Sequence, residues 1–144
     1  MVMKRVLILG VVVLQNLVVY GQSRERLKVE DIPAVIAQYA KENLSDFKLK
    51  SVYKELKEDG ELEFEVNFNK GLQLEFNGNS ELTEVERRKG IPAQYISPSL
   101  AKYISVNYPM IQVVEIDFNK DGSQEVSLRN GVELLFDSKG QFVK

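Results

Sequence analysis

The chain has 144 residues, 19 Lys and Arg against 21 Asp and Glu, and a formal charge of −2. It contains no His, Cys or Trp, which removes His-activated nucleophiles, ordinary zinc sites, disulfides and thiol chemistry. The length fits one domain, and the slight acidity gives no reason to expect a nucleic-acid partner.

The first segment reads as an export signal over 1–21. Lys4 and Arg5 precede an apolar run from Val6 to Tyr20, and small Gly21 stands before Gln22. That is a charged start, an apolar middle and a small-residue cleavage position. The run is shorter than a membrane span requires, and no Cys follows it to carry a lipid. The expected product begins near Gln22, is periplasmic or secreted, has no stable membrane insertion, and carries 17 − 21 = −4 charges.

Residues 22–30 read as a linker, and the rest as two copies of one unit at 31–84 and 96–144, joined by a link at 85–95. Ile36-Ala37-Gln38-Tyr39-Ala40 is similar to Leu100-Ala101-Lys102-Tyr103-Ile104, with Asn43 matching Asn107. The run from Glu65 to Leu72 is similar to that from Glu125 to Val132, and Leu74 and Phe76 match Leu134 and Phe136. Each unit is small for a core of its own, so the two should share one.

Each unit opens with an amphipathic helix. The first stripe is Ile32, Val35, Ile36, Tyr39, Ala40 and Leu44, with Asp31 as cap and Pro33 in the first turn. The second is Ile96, Leu100, Tyr103, Ile104 and Asn107, with Ser97 as cap, Pro98 at the first position and Pro109 as stop. Tyr39 and Tyr103 read as core aromatics.

Strands follow each helix. Leu62, Phe64, Val66 and Phe68 alternate with Glu61, Glu63, Glu65 and Asn67, and Leu72, Leu74 and Phe76 continue the apolar face. In the second unit Val114, Ile116 and Phe118, then Val126, Leu128, Val132, Leu134 and Phe136, should face inward. Earlier strands are expected over 48–58 and 112–119, and a short last one over 141–144. Asn130-Gly131 reads as a type I′ hairpin turn.

A helix ending Asn107-Tyr108-Pro109, a strand pair, and the run from Asn130 to Gly140 resemble the PepSY-like, beta-lactamase-inhibitor-like family of exported Gram-negative proteins. The resemblance spans Asp31 to Lys144 and is stronger in the second unit. In the first, Ser45 replaces the helix-ending Pro and Asn77-Gly78-Asn79-Ser80 replaces the Phe-Asp-x-x-Gly ending. It implies an α+β fold of two tandem helix-plus-antiparallel-sheet units, with helices on one face of a curved sheet and the other face open. It implies no catalytic residues, no cofactor and no agreed ligand.

The polar sheet face is the first candidate site. It should gather Tyr53, Glu63, Glu65, Gln73 and Glu75 from the first unit, and Glu115, Asp117, Glu125, Ser127 and Glu133 from the second. An acidic field steers and orients a basic partner, and a Tyr suits an interface. A solvated antiparallel face is the plain alternative. Asp117-Phe118-Asn119-Lys120-Asp121-Gly122 matches the opening of a calcium loop, but the twelfth position is Leu128. The residues read better as an Asp-Gly hairpin turn. Glu63 with Glu75, or Glu125 with Glu133, could pair across strands, but no pocket-forming signal surrounds them. Arg87-Arg88-Lys89 is a solvated linker or a docking point for an acidic group. The expectation is a non-enzymatic module engaging an envelope or secreted protein through the acidic face. The alternative is small-molecule or cation binding in the concavity between the units.

Overall fold

The computed structural model describes residues 23–144. The expected export signal lies outside them. Two ten-residue helices, α1 (Ala34–Asn43) and α2 (Pro98–Asn107), accompany eight strands. The strands are β1 (Ser23–Arg26), β2 (Leu49–Leu56), β3 (Leu62–Phe68), β4 (Gln73–Asn77), β5 (Leu82–Glu86), β6 (Val113–Phe118), β7 (Gln124–Leu128) and β8 (Glu133–Phe136). They form one open sheet in sequence order, and every neighbouring pair is antiparallel. α1 lies in the chain between β1 and β2, and α2 between β5 and β6. The fold is α+β, as expected.

Both helices pack on the same sheet face. Ile36 and Leu44 of the first helical segment, and Leu100 and Ile104 of α2, share one buried cluster with Val66, Leu74, Val85, Ile116, Val126 and Leu134. Period-two alternation sends every second strand residue into this cluster and the residues between them to the opposite face. Burying each such aliphatic side chain contributes about 1.5–3 kcal/mol. Tyr39 meets Phe76 edge to face at 5.4 Å, and Tyr103 meets Phe136 in the same way at 5.4 Å. Asn43 and Asn107 each donate a side-chain N–H to the carbonyl four residues back, on Tyr39 and Tyr103.

The helix starts differ. Ser97 accepts the Leu100 N–H and Pro98 holds the first position of α2, as its sequence indicates. α1 has no side-chain cap: Asp31 sits in a 3-10 turn over Val29–Asp31, two residues before the cap position at Pro33. Val35 is exposed rather than on the buried stripe, because α1 turns its Ile36 side to the sheet and Val35 lies about 100° further round the helix.

Two segments expected to be connections contain strands. Ser23–Arg26 pairs along β2 instead of lying free. The expected link at 85–95 begins inside β5, whose Val85 is wholly buried. On β6 a bulge leaves Val114 without a directly opposed partner, because Val113 faces Leu128 and Glu115 faces Ser127. Val113, not Val114, is therefore the core residue. The Asn130-Gly131 turn is not type I′, since only Gly131 has positive φ. It is a three-residue loop with glycine in the left-handed position, closed by the Gly131 N–H on the Leu128 carbonyl. Paired positive φ occurs instead at Lys70 and Gly71. The expected last strand is reduced to one bridge, Phe136 to Phe142.

The ending that departs in sequence has the same local geometry. Asn77 Oδ1 accepts the N–H groups of Asn79 and Glu81. Asp137 Oδ1 does the same for Lys139 and Gln141. Either side chain can close such a turn, because each offers an acceptor oxygen at the same reach.

Candidate functional site

The sheet face away from the helices carries an unbroken acidic row. Tyr53 stands opposite Glu65, Glu65 opposite Glu75, Glu75 opposite Glu84, Glu84 opposite Asp117, and Asp117 opposite Glu125. Five carboxylates thus occupy adjacent positions on five strands. A parallel row runs Asn67, Gln73, Glu86, Glu115, Ser127 and Glu133. On the other side Glu55 faces Glu63, and Glu63 faces Asn77.

All the sequence-selected residues lie on this face, but not with the expected neighbours. Glu63 is diagonal to Glu75 rather than opposite it. Glu133 faces Ser127, and Glu125 faces Leu135, so those two acids are not a direct pair. The sequence reading leaves out Glu84 and Glu86, because it expects no strand at the end of the first unit and begins the link at Val85, inside β5. Their signal was the short alternation Glu84-Val85-Glu86, interrupted at Thr83 by the shift that opposes Glu75 to Glu84 and Phe76 to Leu82.

Counter-charges gather at one side of the row. Arg24 bonds Glu65 at 2.8 Å, approaches Glu55 at 3.9 Å and covers the Tyr53 ring at 4.3 Å. Lys57 pairs with Glu63 at 2.5 Å. Tyr53 is therefore on the expected face but roofed by an arginine. Among the described residues no cation forms an ion pair with Glu84, Glu115 or Asp117.

Like charges in adjacent positions raise one another's proton affinity. Partial burial, then the charges of Glu75, Asp117, Glu115 and Glu86, push the Glu84 carboxyl up to about 8. Burial and Glu63 push Glu75 up to about 7. Glu115 is raised by burial and by Asp117, Glu86 and Glu133. Asp117 is raised by burial and Glu125. Carboxylate oxygens of Glu84, Glu115 and Asp117 lie within 4.8 Å of one another where β5 meets β6. Shallow grooves of about 530 and 580 Å³ flank Asp117, one running toward Glu133 and the other toward Glu75. Such a surface can receive Lys or Arg side chains, or oxygen-coordinated hard cations.

The calcium-loop reading of 117–122 is not supported. The segment is a β6–β7 hairpin, with Gly122 N–H on the Asn119 carbonyl and Asp121 Oδ1 occupied by Ser123. Leu128, at the position a ligand would need, is buried in the core.

Residues 62–144 match the family described as "Putative beta-lactamase-inhibitor-like, PepSY-like". The chain belongs to this PepSY-like family. The match begins at the first residue of β3, later than the resemblance from Asp31. This PepSY-like chain is 28% identical to a "putative periplasmic protein of unknown function" from Bacteroides vulgatus, with a TM-score of 0.74, covering 86% of this chain and 98% of that one. It is 29% identical to a "putative calcium-regulated periplasmic protein" from Bacteroides thetaiotaomicron, also at a TM-score of 0.74, covering 84% of this chain and 94% of that one. A third structure, also from Bacteroides vulgatus, 24% identical with a TM-score of 0.70 over 84% of this chain and 94% of that one, shares the fold. No curated protein matches the chain. Among the described residues no helix is long and apolar enough to cross a membrane.

Proposed function

We propose that this PepSY-like protein is an exported, non-enzymatic binding module of two tandem units, 31–84 and 96–144, whose acidic sheet face engages a basic region of an envelope or secreted protein. The five-carboxylate row carries this reading. Its members repel one another, and among the described residues Glu84, Glu115 and Asp117 have no ion-pair partner. A partner that supplies Lys or Arg along the row relieves that repulsion, so binding gains from what the free protein lacks. The periplasmic descriptions of the relatives support export.

The test is a crosslinking pull-down from envelope extract with residues 22–144 as bait, against the same bait carrying Glu84→Lys and Glu125→Lys. A partner captured by the first and lost with the second supports the reading. A partner captured equally by both moves the interface elsewhere.

A second reading is cation binding at the seam between the units. It is favoured by the approach of Glu84, Glu115 and Asp117 to within 4.8 Å, and one relative is described as calcium-regulated. Millimolar calcium should then raise the melting temperature at pH 8, and Asp117→Asn should abolish the shift. An unchanged melting temperature removes this reading.

A further inference from the structure

The end of the sheet holding the turns at 69–71, 87–90, 109–112 and 129–131 has the opposite character to the acidic face. These turns follow β3, β5, α2 and β7 and lie side by side, because the strands are ordered as in the chain. Arg87 ties the first two together through the Lys70 and Gly90 carbonyls. Arg129 ties the last two together through its N–H and its guanidinium, both on Gln112. One shallow groove joins Lys70, Arg88 and Lys89, a second joins Lys89 to Met110, and a third joins Met110 to Arg129. Lys70 and Arg129 use their side chains within the fold. Arg88 and Lys89 are exposed, and among the described residues their side chains make no hydrogen bond or ion pair. Asp46 and the row of Glu86, Glu115 and Glu133, which lies on the opposite sheet face one step in from the turns, are the acids near this end. The turns at the other end carry Glu58, Asp59, Glu61, Glu81, Asp121 and Asp137 against three lysines.

Met110 stands among these cations. Tyr108 to Ile111 is a turn closed by the Ile111 N–H on the Tyr108 carbonyl at 3.2 Å, with Pro109 second and Met110 third. Met110 has φ +66°, in the left-handed region. Glycine or asparagine normally fills that position. Methionine accepts the strain here and gains no burial, since the residue is fully exposed. Backbone strain without packing in return points to a use outside the fold.

We propose that this end of the molecule docks peripherally on an anionic phospholipid surface, with Arg88 and Lys89 at the headgroup phosphates and Met110 entering between them. Charge complementarity commits the surface to an anionic partner. The fully exposed apolar tip, sharing one groove with Lys89 and another with Arg129, favours a lipid interface over an acidic protein, because headgroups take the cations while the acyl boundary takes the methionine. The separation of charge between the two ends orients the molecule on approach. This inference uses a different surface from the acidic face and stands independently of it.

The test uses residues 22–144, so that the apolar N-terminal run cannot anchor the protein. Both helices, all eight strands and the buried core lie within 23–144, and the solved relative with 98% coverage spans the same fold. Co-sedimentation is measured with phosphatidylcholine vesicles, with and without phosphatidylglycerol, at low and high salt. The expected result is binding only when phosphatidylglycerol is present, weakening with salt. At about five-fold per cation removed, Arg88→Glu with Lys89→Glu should lower it by about 25-fold or more. Met110→Ser should lower it several-fold, with thermal unfolding unchanged in the double charge variant. Equal binding to both vesicle types, no binding to either, or undiminished binding of the double variant overturns the proposal. Binding to polyglutamate but not to phosphatidylglycerol vesicles, lost in the double variant, also overturns it and assigns the surface to an acidic protein.

Discussion

Glu84 on β5 stands directly opposite Asp117 on β6. This pairing joins the acids of the first four strands beyond β1 to those of the last three, and makes a single row of two patches. It also sets the proton balance of the face. Glu75 and Glu84 hold their protons to about 7 and about 8 in the fold, against an ordinary value of 4.5.

The folded state therefore binds these protons more tightly than the unfolded chain. Their contribution to stability is complete below about 4.5 and is lost as pH rises through about 7 and about 8. Unfolding free energy should rise as pH falls from 9 to 6. Urea titrations across that range check the sign, and a fall toward pH 6 would refute the coupled row.

Glu84→Gln should stabilise the protein at pH 8, since it keeps the shape and removes the charge most strongly opposed by its neighbours. Solvent screening of this half-buried group limits the gain to about 1 kcal/mol, or roughly 3–5 °C in melting temperature. The pH dependence above should flatten in the same variant.

Tyr103 touches two phenylalanines with different roles. It meets buried Phe136 edge to face at 5.4 Å and stacks on Phe142 at 4.5 Å. Phe136→Ala should cost about 3–5 kcal/mol, because it empties a site in the shared core. Phe142 is 42% exposed and holds only the C-terminal bridge, so Phe142→Ala should cost about 1 kcal/mol. Denaturant midpoints separate the two.

Ser97→Ala should cost about 0.5–1 kcal/mol, at the low end for a helix cap because the Leu100 N–H lies 3.4 Å from the hydroxyl. Calorimetry of the purified variant reads this directly.

Met110→Gly should raise stability by about 1 kcal/mol, by relieving a left-handed backbone that methionine adopts with φ +66°. Met110→Ala keeps the strain and should leave stability near the natural value. Equal denaturant midpoints for Gly and Ala variants would show that the turn is unstrained.

α2 was readable because Ser97, Pro98 and Pro109 act locally. So was the burial of Phe64, Val66, Leu74 and Phe76, since alternation alone assigns a face. β5 was not. Its five residues lie between a turn and Arg87-Arg88-Lys89, and Thr83 breaks their alternation. β1 was missed because Ser23–Arg26 is exposed throughout, and only its pairing to β2 marks it as a strand.

The sequence by itself determined which residues face the helices and which face away, because that choice repeats every two residues along a strand. It also determined where most hairpins turn, through Gly and through Asn and Asp side chains that close the chain on itself. Only the tertiary structure decided which acids are neighbours. Cross-strand partners depend on hairpin lengths, on the irregularities at Thr83 and Val114, and on the pairing of β5 with β6 across the intervening helix. A shift of one residue at any of these points would turn a strand's acids toward the core, so the acidic row is a property of the register and not of the composition.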